Sequence, residues 1–459
     1  MARVFLIQPP SSEAMRRPGL ALGFLAAALR RAGHEVAVAD AAAPHGTRET
    51  IAIARQIAAF DPQVVGVHLK TLGLHRAYRL VAELRAHPET PRGVVWVAGG
   101  PHATVRPLEP LHHGFDLTVA GEGEEALVAL ADAADRGALP ASQDLSHVQG
   151  LAWRADGRPV QTAGRGPTMD LDALASPTDA LDLFDPAWYG LTGPASFGGM
   201  LASRGCPAAC TFCCNAVTGR TFRAHSPERI AQEAKRLRDE QASPAFVFFD
   251  DSFAVNRRRV AQVALALERL GGMHWSASVH PTHLDAETLD AMRRAGCGGL
   301  DLGAESGDPL RIKQISKGVT VDRVLHAVEL CRDAGVRVMV NAMFGWPDET
   351  EAEVDATCAF MERAAASGAM LNARGVLVPY PGTALYDKHH QRHGFTDWWL
   401  DGETPFEYEP FPNSADPESL RQAYATDAAL SRNFFGHPDD HLRRIQRALD
   451  LKASLTWRT

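Results

Sequence analysis

A disulfide framework is missing from this chain of 459 residues. Its seven cysteines either crowd into the stretch from Cys206 to Cys214 or, as Cys297, Cys331 and Cys358, lie scattered beyond it. That usage excludes a small secreted fold held by cross-links and fits a reducing cytoplasm. A surplus of positive charge is also missing. The formal net charge is -8, so the basic field that nucleic acid or an anionic membrane surface requires is not there. No long hydrophobic run opens the chain: Met1-Ala2-Arg3-Val4-Phe5-Leu6-Ile7 is too short for a signal peptide or a membrane span. Neither a second C-x-x-C nor a His pair follows closely on the cysteine stretch, which counts against zinc. Hydrophobic and charged contents of 45% and 22% suit a soluble protein of two or three domains with a large core.

What is present centres on Ala202-Ser203-Arg204-Gly205-Cys206-Pro207-Ala208-Ala209-Cys210-Thr211-Phe212-Cys213-Cys214. Cys206, Cys210 and Cys213 stand in a C-x3-C-x2-C array. Three thiolates on one short loop suit three irons of a [4Fe-4S] cluster, which leaves the fourth iron open to a small molecule. Gly205 and Pro207 suit a backbone that bends tightly there. Cys214 is an extra neighbour and is not assigned to the cluster.

Ahead of this loop, strand-like and helix-like segments alternate. Val4 to Ile7, Val36 to Val38, Val64 to Val67 and Val94 to Ala98 read as strands. Gly19 to Ala32, Ile51 to Phe60 and a segment through Tyr78 to Arg85 read as helices. The alternation predicts a doubly wound parallel sheet with helices on both faces, whose ligands sit beyond the strand C-termini. A connector from about Leu127 to Phe197 includes a hairpin around Asp156-Gly157. A second α/β unit follows, a partial barrel of six strands: Met200 to Ala202, Ala245 to Phe249, His274 to His280, Gly299 to Gly307, Val336 to Phe344 and Ala373 to Val378. Its polar strand ends form the active face. The tail from Pro417 to Leu451 reads as two helices. The expected division is 1–135, 136–197, 198–400 and 401–459.

With Phe212 before its last cysteine, the loop resembles the signature of radical S-adenosylmethionine (SAM) enzymes. The ordered segments D-D-S-F, G-A-E-S-G-D, I-x-K-G-V-T, G-W-P-D-E-T and P-Y-P-G-T-A-L-Y extend the resemblance. It implies a partial (β/α)6 TIM-type barrel, and a [4Fe-4S] cluster whose open iron is chelated by SAM. One electron then cleaves SAM to methionine and a 5′-deoxyadenosyl radical. Pro9-Pro10, Gly99-Gly100-Pro101-His102-Ala103-Thr104 and Gly121-Glu122-Gly123-Glu124 resemble the Rossmann-like cobalamin-binding domain found ahead of many such cores. No D-x-H-x-x-G is present to offer a histidine to cobalt. The bulky His68 and Lys70 follow the third strand, where relatives usually place a small hydroxyl residue. Cobalamin is thus a possible cofactor, and a domain that kept its fold without the cofactor is the alternative.

SAM carries an ammonium and a ribose diol, which suit acidic groups at strand ends. Asp250 or Asp251 would accept from the ammonium, and Glu305 from the ribose. Ser278 and Ser306 would add hydroxyl contacts, and Phe212 would lie against the adenine. For each acidic residue the alternative is a rim group paired with Arg or Lys; Arg223 is equally suited to a structural ion pair. His280, His283, Glu349, Tyr380, Trp398 and Trp399 are candidates for the barrel mouth, although paired tryptophans more often pack a core. The short tail leaves room for a small-molecule substrate rather than a folded protein.

The resemblance therefore implies a cytoplasmic enzyme of the antibiotic-biosynthesis type, which abstracts hydrogen from carbon and takes electrons from a flavodoxin, a ferredoxin or a dedicated reductase. The loop at His68-Leu69-Lys70 favours cobalamin-free radical dehydration of a sugar diol, as in radical dehydratases of aminosugar antibiotic pathways. The glycine loops favour the alternative, a cobalamin-dependent C-methyltransferase. A non-enzymatic iron-sulfur sensor would need no SAM-binding rim.

Overall fold

The structure, a computed structural model, describes the chain apart from residues 12–14, 140–144, 165, 409–411, 413–415 and 457–459. The N-terminal half runs β1 (Arg3–Gln8), α1 (Leu20–Arg31), β2 (Glu35–Asp40), α2 (Thr50–Phe60), β3 (Val64–His68), α3 (Leu74–Ala86), β4 (Val95–Gly99), α4 (Pro101–Val105), β5 (Leu117–Val119) and α5 (Glu124–Asp135). The first five strands are parallel, in the order β2-β1-β3-β4-β5. Alternation along each strand sends Phe5, Val65 and Val67 to one face, with Ile53 and Leu84 of α2 and α3. Val4, Leu6 and Val64 go to the other, with Leu22 and Leu130 of α1 and α5. The hairpin β6 (Leu151–Ala155) and β7 (Arg158–Gln161) does not stand apart. It extends this sheet, with β6 antiparallel to β5.

The second half contains β8 (Gly199–Met200), β9 (Ser203–Arg204), β10 (Arg223–Ala224), α6 (Pro227–Asp239), β11 (Ala245–Phe248), α7 (Arg257–Leu270), β12 (His274–Val279), α8 (Ala286–Arg294), β13 (Cys297–Glu305), α9 (Pro309–Gln314), α10 (Val321–Asp333), β14 (Arg337–Ala342), α11 (Glu351–Ala366), β15 (Met370–Leu371) and α12 (Ala384–His393). Six strands in the order β15-β14-β13-β12-β11-β8 form the parallel sheet of a partial barrel. Its helices start where the sequence offers caps. Ser226, Asn256, Asp285 and Thr320 each accept from the backbone N–H three residues on. Thr350 and Glu353 complete a capping box on α11.

Two strands differ from the sequence expectation. Strand one leaves the barrel sheet after Met200, because the Ala202 N–H goes to Asp250 Oδ2 (2.9 Å) rather than into the ladder. Residues 203–204 then pair with β10 in a separate ribbon. Strand six pairs at Met370–Leu371, breaks, and returns only as a bridge between Phe344 and Val376. Arg374 (φ 58°) and Gly375 (φ 148°) cause the break. The C-terminal extension fills the gap. Lys452 Nζ donates to the carbonyls of Ala342 (3.0 Å) and Arg374, and Asp427 Oδ2 accepts from Gly375 N and Val376 N, both at 2.8 Å. The tail itself has three helices rather than two: α13 (Pro417–Ala425), α14 (Ala428–Arg432) and α15 (Asp439–Thr456). Asp427 supplies the additional cap between the first two. No helix among the described residues is long and apolar enough to cross a membrane.

Candidate active site

The cysteine loop joins β9 to β10. Gly205 at its root has φ 86°, and a Cβ there would lie 2.3 Å from the Thr221 carbonyl oxygen, so only glycine fits. Hydrogen bonds from Cys206 N to Gly219 O (3.3 Å) and from Asn215 Nδ2 to Cys206 O (3.1 Å) close the loop on itself. Thr211 anchors it to the barrel through Ile315 O (3.0 Å) and Leu385 N (2.9 Å). Cys206 and Cys210 are half-buried, and Cys213 and Cys214 exposed. Although Cys213 is exposed as a residue, burial of its sulfur, then the neighbouring Cys210, Asp251 and Cys206, push its thiol up to about 12. Burial also raises the Cys210 thiol, against the pull of Lys317. Thiols that oppose one another's ionisation suit a cationic centre that would relieve the repulsion. Among the described residues no three His, Cys, Asp or Glu side chains converge as ligands of a single ion do. A four-iron cluster takes each thiolate at a different iron, so the donor set fits the cluster.

The two aspartates after β11 both brace this loop. Asp250 is buried; it accepts from Ala202 N and from Ser203 Oγ, and burial pushes its carboxyl up to about 6. Asp251 Oδ2 accepts from Gly205 N (3.2 Å) and Thr218 Oγ1 (3.0 Å). Glu305, at the end of β13, is buried at φ 69° and accepts from Lys317 Nζ at 2.7 Å. Burial alone would lower the Lys317 pKa; the Glu305 carboxylate outweighs it and holds the value above that of an ordinary lysine. Gly303 makes room for this pair, since a Cβ there would lie 2.2 Å from Glu305 Oε1 and 2.4 Å from Lys317 Nζ. Ser278 sits on the half-buried face of β12.

Ser306 is turned away, toward Thr357 of α11 (3.3 Å). Phe212 stands edge-on to Trp346, with centroids 5.6 Å apart. His280 Nε2 donates to Lys317 O (3.0 Å), and its ring stands beside His283. Tyr380 packs against Trp398. Glu349 is buried under the tail, 3.2 Å from His441 Nε2. The structure thus gathers the cysteines, Asp251, Glu305 and Lys317, while Ser306 and Glu349 point elsewhere. Lys317 lies inside I-x-K-G-V-T, and that lysine was the one available signal for it.

On the N-terminal sheet a cavity of about 260 Å³ opens at the strand C-termini, lined by Gly66, His68, Gly99, Gly100, and Gly121 to Glu124. His68 ends β3 and pairs with Gly99. Strand alternation therefore does fix its direction, on the same side as Val64 and Gly66 and into the cavity. Its Nδ1 lies 2.8 Å from Gln8 Oε1. Burial, then Lys70, pushes its pKa down to about 3, so it is neutral near pH 7. Lys70 is exposed and does not line the cavity. Gly100 (φ 96°) packs on His68, where a Cβ would lie 2.4 Å from the ring.

The loop edge of this sheet docks on the cysteine loop. Arg223 and Arg204 meet Glu122 and Glu124, so Arg223 is an ion-pair donor. His102 is wholly buried between Thr71 (3.0 Å) and Glu109 (3.1 Å), and Trp399 Nε1 donates to the same Glu109 (3.2 Å). Trp398 and Trp399 are buried packing residues. A Cβ on Gly382 of P-Y-P-G-T would touch both Val105 of α4 (2.4 Å) and Cys214 Sγ (3.3 Å). Three segments far apart in sequence meet at that point.

Known proteins match this arrangement. Residues 200–361 match the radical SAM superfamily and residues 17–131 the B12 binding domain. An uncharacterised methyltransferase of Pyrococcus horikoshii is 30% identical over 395 residues, covering 84% of this chain and 82% of its own length. The anaerobic magnesium-protoporphyrin IX monomethyl ester cyclase of Rubrivivax gelatinosus is 26% identical over 311 residues; the match covers 66% of this chain and 55% of the cyclase. In fold, the chain superposes on the radical SAM methyltransferase TsrM of Kitasatospora setae, solved with cobalamin and a [4Fe-4S] cluster. The TM-score is 0.72 at 20% identity, covering 99% of this chain and 89% of TsrM. An enzyme with a B12 binding domain docked on a cysteine-loop barrel is what the geometry and these matches agree on: the chain belongs to the radical SAM superfamily.

Proposed function

We propose that the chain is a cobalamin-dependent radical SAM methyltransferase acting on a carbon of a small molecule. The cavity at the glycine loops, opening against the flank of the cysteine loop, carries this reading. Cys206, Cys210 and Cys213 would hold the cluster, which when bound supplies a single low-potential electron to SAM. Glu305 and Ser278 line the strand ends where SAM would lie, and Lys317 holds the Glu305 carboxylate in place. Asp250 and Asp251 hold the loop rather than reach for SAM through a free carboxylate. Cobalamin, when bound, carries the methyl group; Gly99 and Gly121, which face open space, leave room for it beside the backbone. The N-terminal loops are held against the cysteine loop by the Glu122 and Glu124 ion pairs. An external one-electron donor of flavodoxin, ferredoxin or dedicated reductase type is required, in a reducing cytoplasm. The name of the Pyrococcus relative supports methyl transfer over cobalamin-free dehydration.

One observation favours dehydration as a second reading: the His68 ring projects into the cavity. Hydroxocobalamin titration of anaerobically purified protein separates the two. Tight, stoichiometric binding by the unaltered chain is the expected result, with His68→Ser binding at least as well. Binding only after His68→Ser would mean a closed pocket and would favour dehydration.

Glu305→Gln should weaken SAM binding by about 1.5–3 kcal/mol, the worth of a hydrogen bond to a charged group. Calorimetry on the cluster-loaded protein checks this, and an unchanged dissociation constant removes Glu305 from the SAM site.

A further inference from the structure

We propose that the N-terminal cavity and the cysteine loop are energetically coupled through Glu122, so that cobalamin in the cavity and the cluster on the loop strengthen each other's binding. The proposal rests on the cobalamin reading above. Two observations carry it.

The first is a shared wall. Val217 and Thr218 belong to the segment between Cys213 and Arg223, and both line the cavity. Thr218 also donates to Asp251 Oδ2 (3.0 Å), which accepts from Gly205 N at the root of the cysteine loop (3.2 Å). The wall of one site is thus tied to the anchor of the other.

The second is a buried ion network between the two sheets. Glu122 and Glu124 rim the cavity, and Arg204 and Arg223 are paired across the β9–β10 ribbon from which the cysteine loop springs. Arg223 Nη1 lies 2.8 and 3.0 Å from the two Glu122 oxygens. Arg204 reaches Glu122 at 3.5 Å and Glu124 at 2.7 Å. None of the four side chains is more than 8% exposed. Arg223 also donates to Thr168 O (2.7 Å) and Thr218 O (2.6 Å), and Glu122 Oε2 accepts from Thr168 N (2.8 Å). Charges this deep tolerate little displacement, because losing one partner strands the other in a low dielectric. A ribbon that shifts must therefore move the rim.

Ligation of three thiols to one centre fixes the path of the loop, and with it the ribbon and both guanidinium groups. A ligand in the cavity presses on Val217, Thr218 and the same rim. Each event does ordering that the other then need not do, and linkage makes the effect reciprocal.

Equilibrium dialysis of hydroxocobalamin against the full-length chain tests this, with the cluster loaded and after anaerobic chelation of its iron. The dissociation constant should rise roughly 5- to 100-fold in the cluster-free protein, the usual span of coupling between sites. Cobalamin should in turn slow the chelation of cluster iron. In Glu122→Gln the ratio between loaded and cluster-free protein should collapse toward one. Equal constants in the two forms of the unaltered chain overturn the coupling and leave cobalamin binding intact. Absence of binding to both forms overturns the cobalamin reading and the coupling with it. A full ratio retained in Glu122→Gln overturns the route through Glu122. The first comparison uses the unaltered chain, so misfolding of the variant does not mask the answer.

Discussion

Replacing Cys206, Cys210 and Cys213 together with alanine is expected to abolish cluster iron and SAM cleavage, while Cys214→Ala keeps both. All three assigned thiols sit on one loop closed by backbone bonds at Cys206 and Cys213. Burial and neighbouring thiols hold Cys210 and Cys213 protonated, which a cationic cluster core would reverse. Cys214 faces another way, toward Gly382 and the N-terminal unit. Its loss should cost packing at the junction and not a ligand. Iron content and the electron paramagnetic resonance of the reduced protein check this, with methionine formation from SAM as the activity readout. Iron retained in the triple variant would refute the ligand set.

Lys452→Met should lower stability by about 2–4 kcal/mol, since two buried carbonyls lose their donor. Lys452 is wholly buried and holds Ala342 O and Arg374 O across the break in strand six. Met fills the stem's volume but replaces neither bond. The substitution should also change the pH dependence. Burial, opposed by Asp427 and Glu305, pushes the Lys452 pKa down from 10.5 to about 7. Between these values the unfolded chain binds a proton that the folded chain does not, so stability rises with pH. That contribution is complete above about 10.5 and is lost as pH falls through about 7. The apparent urea midpoint of the unaltered chain should therefore climb between pH 7 and pH 9.5 more steeply than that of Lys452→Met. Parallel slopes would mean that the ammonium is not paying a burial cost in the folded protein.

Much of the site was legible before any contact was known. The cysteine spacing, the alternation of strands and helices, and the glycine loops are local patterns, set by backbone periodicity and by steric demands within a few residues. They point to a doubly wound domain and a six-stranded partial barrel, and both are found; the three spaced cysteines lie together on one loop. The Asp250-Asp251 pair shows where such reading stops. Its position after a barrel strand is visible in the sequence, but its choice between SAM and the loop depends on where Ala202, Gly205 and Thr218 lie in space.

The sequence by itself determined the class of chemistry, because a three-thiol loop at the end of a strand is a contiguous feature that needs no partner from elsewhere. It also determined that strands and helices alternate in both halves, the pattern of parallel sheets, whereas the order of the strands within each sheet came only with the fold. The tertiary structure alone decided which charges pair. Glu122 and Arg223 are 101 residues apart, and nothing in either neighbourhood favours one buried partner over another until the two sheets dock. It alone decided that His68 enters the cavity while Lys70 does not, because the end of β3 is set by pairing with β4. It also decided how strand six is broken. A lysine and an aspartate from the tail satisfy backbone groups that the strand leaves open, and a requirement of that kind exists only once the chain has folded.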